Sequence, residues 1–305
     1  MDKVINSKTI AIRCDVDFGI GLSRGVPFLL DLFDEKKVSA TFFVTMGPDG
    51  FGKNIERAKE VGYWSRIKRM KFSSMLKGFG PKYICKQLFG IGGHVGADNP
   101  FVLKEIVNRG HELGIHGWDH FWWAENVWSS PLEQLLNDTL SAVNYFESYL
   151  SFRPKSSAAP NWRTSIEYLS AIDSFGFSYL ADTRGKFPYF PSIEGKPART
   201  LQVPFNLPCL HEIPGYLKGK SDDEIIEEFL KHLDSEFNIW CIHDYYEGIL
   251  KRKLFTQIID KLEDMGYRLV TIQTLIESID PKSFKISQIE KRVLPGGRGY
   301  VSHQV

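Results

Sequence analysis

Ile10-Ala11-Ile12-Arg13-Cys14-Asp15-Val16-Asp17 is a short apolar run that ends in two carboxylates and breaks at Gly19 and Gly21. A run of this length bounded by turn residues predicts a buried strand, Ile10 to Asp15, followed by a loop. The pattern then repeats with helices between. Ser23 to Lys37 has helical spacing, and Ala40 to Thr45 is a second strand closed by Gly47-Pro48-Asp49-Gly50. Asn99-Pro100 predicts an N-cap and first turn of a helix to Arg109, and Glu112 to His116 the next strand. Ser130-Pro131-Leu132-Glu133, Thr164-Ser165-Ile166-Glu167 and Ser221-Asp222-Asp223-Glu224 each read as a capping box. Asn238 to His243 and Tyr267 to Thr271 read as the last strands, with a helix from Gly248 to Met265 between them. Strands alternating with helices predict an α/β fold around a parallel sheet.

Such sheets gather their chemistry at the carboxyl ends of the strands. The polar residues there are Asp15 and Asp17, His116, Asp182 and Arg184, and His243. His116 and His120 stand four apart, and on a helical turn both would face one ion. Two surface histidines on a helix give the same string. Asp17 supplies a third ligand, and a two-His, one-carboxylate set leaves positions open for water and substrate. Asp15, two residues before Asp17, falls on the same strand face and is available as a general base or as an orienting carboxylate. His243 is a candidate general acid, or a buried histidine held by a carbonyl. Arg163, Asp182 and Arg184 are expected to support His243 or Asp15 through an arginine-paired aspartate; a plain structural ion pair is the alternative for Arg184. Five of the seven tryptophans lie between Trp118 and Trp162, and their faces suit sugar rings as well as core packing. Trp118 and Trp162 are the candidates for substrate contact. His94, His111 and His211 are weaker candidates, and His111 sits at the far, amino end of its strand.

The bulk numbers set outer limits. At 305 residues, 43% hydrophobic and 25% charged, the chain has the make-up of a globular enzyme. A formal net charge of +1 excludes a dominant nucleic-acid-binding field. Cys14, Cys85, Cys209 and Cys241 are dispersed and imply no disulfide scaffold. Met1 to Thr9 carries no signal-peptide pattern, and no stretch reaches 18 consecutive apolar residues. A single catalytic domain over residues 1–280 with a polar tail at 281–305 is expected; the sequence sets no oligomeric state. Residues 51–90 form an insertion with ten Lys and Arg against Glu56 and Glu60. Its apolar residues recur at Ile55, Ala58, Val61, Trp64, Ile67 and Met70. A basic amphipathic segment of this kind suits an anionic membrane surface, or else a lid packed on the barrel.

These residues in this order resemble the polysaccharide deacetylase (NodB-homology) family. Its base and metal aspartates match Asp15 and Asp17, its paired histidines His116 and His120, and its final histidine motif Ile242-His243. The chain departs from the family in the valine between the aspartates, in Gly117 after the first histidine, and in Ala159-Pro160-Asn161-Trp162-Arg163. Those departures resemble a subgroup that deformylates a lipid-linked formamido-arabinose. The matching strings are Gly47-Pro48-Asp49, H-E-L-G-I-H-G-W-D-H at His111–His120, Trp162-Arg163, D-T-R-G at Asp182–Gly185 and I-H-D-Y-Y-E-G at Ile242–Gly248. The resemblance implies a distorted (β/α) barrel of about seven parallel strands. It implies metal-dependent removal of formyl from a polyprenyl-phosphate-linked amino sugar, as in lipid A modification and cationic-peptide resistance, in a cytoplasmic protein peripheral at the inner membrane. Zinc is the default ion for the ligand set, while cobalt, manganese or iron also fit it. An N-deacetylase of a soluble or cell-wall oligosaccharide, and a non-catalytic carbohydrate- or lipid-binding relative, are the alternatives.

Overall fold

The computed structural model describes residues 8–53, 72–213, 219–293 and 299–305. Most of the amphipathic stretch of the insertion, with Ile55, Ala58, Val61, Trp64, Ile67 and Met70, lies outside the described residues. The strands are β1 Thr9–Val16, β2 Thr41–Val44, β3 Glu112–Ile115, β4 Ser156–Ser157, β5 Tyr179–Leu180, β6 Tyr189–Ile193, β7 Lys196–Pro197, β8 Leu201–Gln202, β9 Ile239–His243, β10 Arg268–Val270, β11 Lys285–Ser287, β12 Ile289–Val293 and β13 Tyr300–Gln304.

β1 is the hub. Its residues Ala11–Asp15 pair with Ile239–His243 of β9, Arg13–Val16 pair with β2, and Thr9–Ala11 pair with β10, all in parallel. The parallel run continues from β2 through β3, β4 and β5 to β8. The order then changes: β6 lies antiparallel to β8, and β11 adds to its outer edge. Strands of two residues and the reversal of β6 against β8 and β7 make this a distorted, incomplete barrel.

The two-residue period of β1 divides the core. Ile10, Ile12, Cys14 and Val16 face outward into the helices, together with Trp240 and Ile242 of β9. Ala11 faces the interior with Phe43, Ala158, Tyr179, Phe205, Ile239 and Cys241. Arg13 and Asp15 share Ala11's parity, so the interior that begins apolar at Ala11 becomes polar toward the carboxyl ends. Register then sets Asp15 opposite His243 and Val44 opposite Ile115, just before His116.

Helix starts differ from the sequence reading in detail. Ser221 makes the expected reciprocal box with Glu224. The helix Leu132–Leu150 instead has Pro131 at its N-cap and no side-chain cap, because the proline takes the position Ser130 would need. Ser165, rather than Thr164, caps Ile166–Ile172, accepting from the Tyr168 amide. Thr164 is occupied elsewhere: its amide donates to Ser302 Oγ at 2.9 Å and its carbonyl accepts from the same hydroxyl at 3.1 Å. Asn99 precedes the helix Pro100–Asn108 but turns its amide back to the Val95 carbonyl.

The polar C-terminal stretch, expected as a tail, belongs to the fold. β12 and β13 form a hairpin, Val301 and Ser302 are buried, and the Arg184 amide donates to the Ser302 carbonyl at 3.0 Å. Its polar composition hid this because β12 is largely exposed and only Val301 and Ser302 of β13 are buried. Replacing Ser302 with Ala leaves the buried Thr164 amide without its acceptor and is expected to cost about 1–3 kcal/mol. Urea denaturation of the two proteins measures it, and an unchanged midpoint would contradict this role for the hairpin.

Candidate active site

Asp17 follows the last residue of β1, and its Oδ1 stands 3.5 Å from His116 Nε2 and 3.3 Å from His120 Nε2. That oxygen is buried and has no hydrogen-bond partner. His116 donates from Nδ1 to the Ala158 carbonyl at 2.7 Å, an assignment that leaves the Nε2 lone pair facing Asp17. A buried, unsatisfied carboxylate oxygen facing two imidazole nitrogens is a donor set that fits a divalent cation. Burial works to raise the Asp17 pKa, but the His120 and His116 imidazoles more than offset it and hold it well below the usual carboxylate range.

His116 and His120 do not share a helical turn. His116 leaves β3, Gly117 turns the chain at φ +70°, and His120 is the first residue of the helix His120–Asn126. Buried Asp138 braces this turn by accepting from the Trp118 and Asp119 amides at 2.8 and 2.9 Å. A Cβ at Gly117 would stand 3.1 Å from the Asp138 carboxylate, so the glycine is needed for both space and backbone sign.

Asp15 lies behind this cluster, 1% exposed, and 3.9 Å from His116 Nε2. Arg13 grips it with two hydrogen bonds, Nε to Oδ1 at 2.6 Å and Nη2 to Oδ2 at 2.9 Å, and also bonds the Ala181 carbonyl. The guanidinium is sandwiched between Phe43 and Phe205, 5.3 Å from each ring centre. Trp162 Nε1 and Cys241 Sγ each approach Asp15 Oδ2 to 3.4 Å. Burial pushes the Asp15 carboxyl up, but Arg13, His116 and His243 together bring its pKa below the ordinary value. Arg13 was missed in the sequence; the available signal was its place two residues before Asp15 on the same strand face.

The supporting residues sort differently from expectation. Asp182 is not paired with Arg184. It accepts from the Ala159 amide at 2.8 Å and from Gln202 Nε2 at 3.2 Å, and burial raises its pKa to about 6. Arg184 bonds Glu212 at 3.0 and 3.1 Å and lies over Phe205. The hydrogen bonds described for Arg163 go to the Ala124 and Tyr300 carbonyls and tie the helix His120–Asn126 to the C-terminal hairpin. Trp162 is 4% exposed and packs on Phe205, with His243 6.2 Å away ring to ring. It is part of the wall behind Asp15, not an open sugar platform. Trp118 is half-buried and lies tilted against Tyr145 at 4.6 Å and His94 at 5.4 Å. His211, rated low in the sequence, stands 4.7 Å from the His243 ring. His111 accepts from the Ala40 amide at the opposite end of the sheet.

The described part of the insertion packs on the site loops. Phe79 is buried against Phe51, which meets Phe18 beside Asp17; Tyr245, two residues past His243, meets both Phe18 and Phe79. Asp49 ties these segments together, accepting from the Gly19 amide at 2.9 Å and the Tyr83 hydroxyl at 2.8 Å. Leu88, Phe89 and Ile91 beyond it are exposed.

Comparison with known proteins agrees with this architecture. The polysaccharide deacetylase family model matches residues 81–180. A probable 4-deoxy-4-formamido-L-arabinose-phosphoundecaprenol deformylase from Shewanella sediminis (strain HAW-EB3) is 30% identical over 305 residues, 98% of this chain and 95% of the relative. A probable deformylase of the same name from Wigglesworthia glossinidia brevipalpis is 26% identical over 93% of this chain and 98% of its own length. A putative polysaccharide deacetylase from Mycobacterium smegmatis shares the fold, with a TM-score of 0.61 at 17% identity over 95% of this chain and 96% of that one. A CE4 family pseudoenzyme from Bacillus anthracis shares it as well, with a TM-score of 0.54 at 14% identity over 92% and 70%. The chain belongs to the polysaccharide deacetylase family. It is a hydrolase of amide bonds, of the deformylase and deacetylase class.

Replacing Arg13 with Met leaves Asp15 buried beside no cation, at an expected cost of about 3–5 kcal/mol. Because the folded pKa of Asp15 is below its unfolded value of about 3.9, the stabilisation is present above that value and lost as pH falls through the lowered one. Denaturation curves should therefore show a large gap between wild type and Arg13→Met at pH 7 that narrows as the pH is lowered below roughly 4. A gap independent of pH would contradict the pairing.

Proposed function

We propose that this chain removes the N-formyl group from a polyprenyl-phosphate-linked 4-formamido-arabinose, a step in lipid A modification and resistance to cationic peptides. The observation that carries the reading is the likeness to the Shewanella sediminis deformylase along nearly the whole of both chains. Asp17, His116 and His120 are the residues that would hold the divalent ion, with zinc the first choice from the donor set. Such an ion, when bound, supplies Lewis-acid polarisation of the amide carbonyl and a lowered pKa for water.

The chain's own residues do the rest. Asp15, kept ionised by Arg13, takes the proton of the attacking water. Trp162 and Arg13 hold the Asp15 carboxylate in one orientation through their N–H groups. His243 gives a proton to the departing sugar nitrogen, since an amine leaves far more readily protonated. Glu247 holds the backbone of His243, accepting its amide at 2.8 Å. Trp118, braced by Tyr145, is the remaining aromatic for contact with the sugar. Residues 1–280 and the C-terminal strands act as one catalytic domain.

The fold alone does not decide between enzyme and binding relative, since a pseudoenzyme shares it. The Asp17–His116–His120 cluster with Asp15 behind it favours an enzyme, because a binding module has no use for a base beside a cation site. On the substrate side, the exposed Leu88, Phe89 and Ile91 beside Lys82 and Lys86 support a peripheral, membrane-facing surface for the lipid carrier. No described helix is long and apolar enough to cross a membrane.

Mass spectrometry of product is the primary test, with formylated and acetylated lipid-linked aminoarabinose offered side by side. Release of formate with little acetate is expected. His116→Ala should abolish both metal retention and turnover, whereas His243→Ala should keep the metal and lose about 10²–10⁴ in kcat. Full activity in His116→Ala, or preference for the acetylated sugar, would overturn the proposal. A second measurement concerns the surface: binding to anionic vesicles should exceed binding to neutral ones and weaken in Phe89→Ser, and equal binding to both would remove the membrane component.

A further inference from the structure

Beside the cluster already described lies a second group of metal-binding atoms, which shares His243 with the proposed reaction. Cys209 Sγ and one ring nitrogen each of His211 and His243 lie within 4.8 Å of one another. They come from different parts of the fold. His243 ends β9, and Cys209 and His211 sit on the segment entered at Leu207, whose amide donates to the Ile239 carbonyl of the same strand at 3.2 Å. The segment is braced: Glu212 accepts the Cys209 amide at 2.8 Å and is itself gripped by Arg184. Cys241 is a further sulfur next to Cys209 and close to Asp15. Cys209 and His243 are buried, while His211 is partly exposed with its ring nitrogens turned inward.

We propose that Cys209, His211 and His243 form a second, inhibitory position for a thiophilic divalent cation, zinc or cadmium in chemical class, distinct from the Asp17–His116–His120 set. One thiolate and two imidazoles are a donor set that zinc takes up readily, whereas manganese and magnesium prefer oxygen. Zinc bonds of about 2.0–2.3 Å hold donors roughly 3.5 Å apart, within a modest side-chain rotation of the spacing found. Binding forms a sulfur–metal bond and breaks the Cys209 S–H bond where the thiol is protonated, and that proton leaves to solvent; no electron moves. Occupation ties the His243 lone pair to the ion, so the imidazole can no longer carry the proton needed by the departing amine. This inhibitory consequence rests on the role proposed above for His243.

The test begins by titrating metal-stripped full-length protein with cobalt and following the thiolate-to-cobalt charge-transfer absorption. Two equivalents should bind, with the charge-transfer band growing only with the second, since Asp17, His116 and His120 contribute no sulfur. Zinc beyond the first equivalent should lower kcat at least tenfold in wild type. Cys209→Ser should bind one equivalent, show no band, keep its basal activity and escape the inhibition. His211→Asn, a substitution at a half-exposed position that leaves the buried thiol in place, should weaken the second equivalent at least tenfold. The proposal is overturned if wild type binds a single equivalent, if the second equivalent brings no thiolate band, or if Cys209→Ser is inhibited as strongly as wild type. Stoichiometry and band are read without turnover, so a chain inactive on formamido sugars would count against the proposed function and leave the second position standing.

Discussion

The pairing of Arg13 with Asp15 inside the barrel is the constraint around which the site is organised. Both residues come from one strand, two positions apart, and point into an interior otherwise lined by Phe43, Phe205, Tyr179 and Ala158. A lone carboxylate or a lone guanidinium at that depth would be too costly to keep charged. Together they are mutually satisfied, and the Ala181 carbonyl and Trp162 indole take up directions the pair leaves over. The aromatic rings that clamp Arg13 are therefore part of the site as much as of the core.

Much of this was legible from residue types and spacing. Asp15, Asp17, His116 and His243 were recognisable because each ends a short apolar run, and strand ends in a parallel sheet converge. The grouping of His116 with His120 was legible, but not its geometry: Gly117 adopts a left-handed turn that a helical reading does not anticipate. Arg13 was passed over because a charge in the middle of a buried strand reads as an exception to burial, and only a three-dimensional partner explains it. Arg163 and Arg184 were credited to the wrong neighbours for a related reason. Adjacency to Trp162 or Asp182 in sequence says little about where a long side chain ends, and here Arg163 reaches the hairpin while Arg184 reaches Glu212.

The C-terminal residues show a limit of composition as evidence. Their polarity suggested a loose extension, yet Val301 and Ser302 are buried, and Ser302 secures the start of the helix that follows Trp162 and Arg163. Two consecutive buried residues of β13 anchor the hairpin while β12 stays largely exposed, so its mean composition stays polar. The loop carrying Trp162 is held between that hairpin and Asp15, which accounts for two consecutive residues, Asn161 and Trp162, in the left-handed region.

The aromatic contacts among Phe18, Phe51, Phe79 and Tyr245 have a mechanical consequence. Phe18 is covalently next to Asp17, and Tyr245 is two residues beyond His243, so one ring cluster joins the cation-facing carboxylate, the proposed proton donor and the helix Phe72–Phe79 of the insertion. A substitution that removes any one of these rings therefore loosens the packing of the other segments as well.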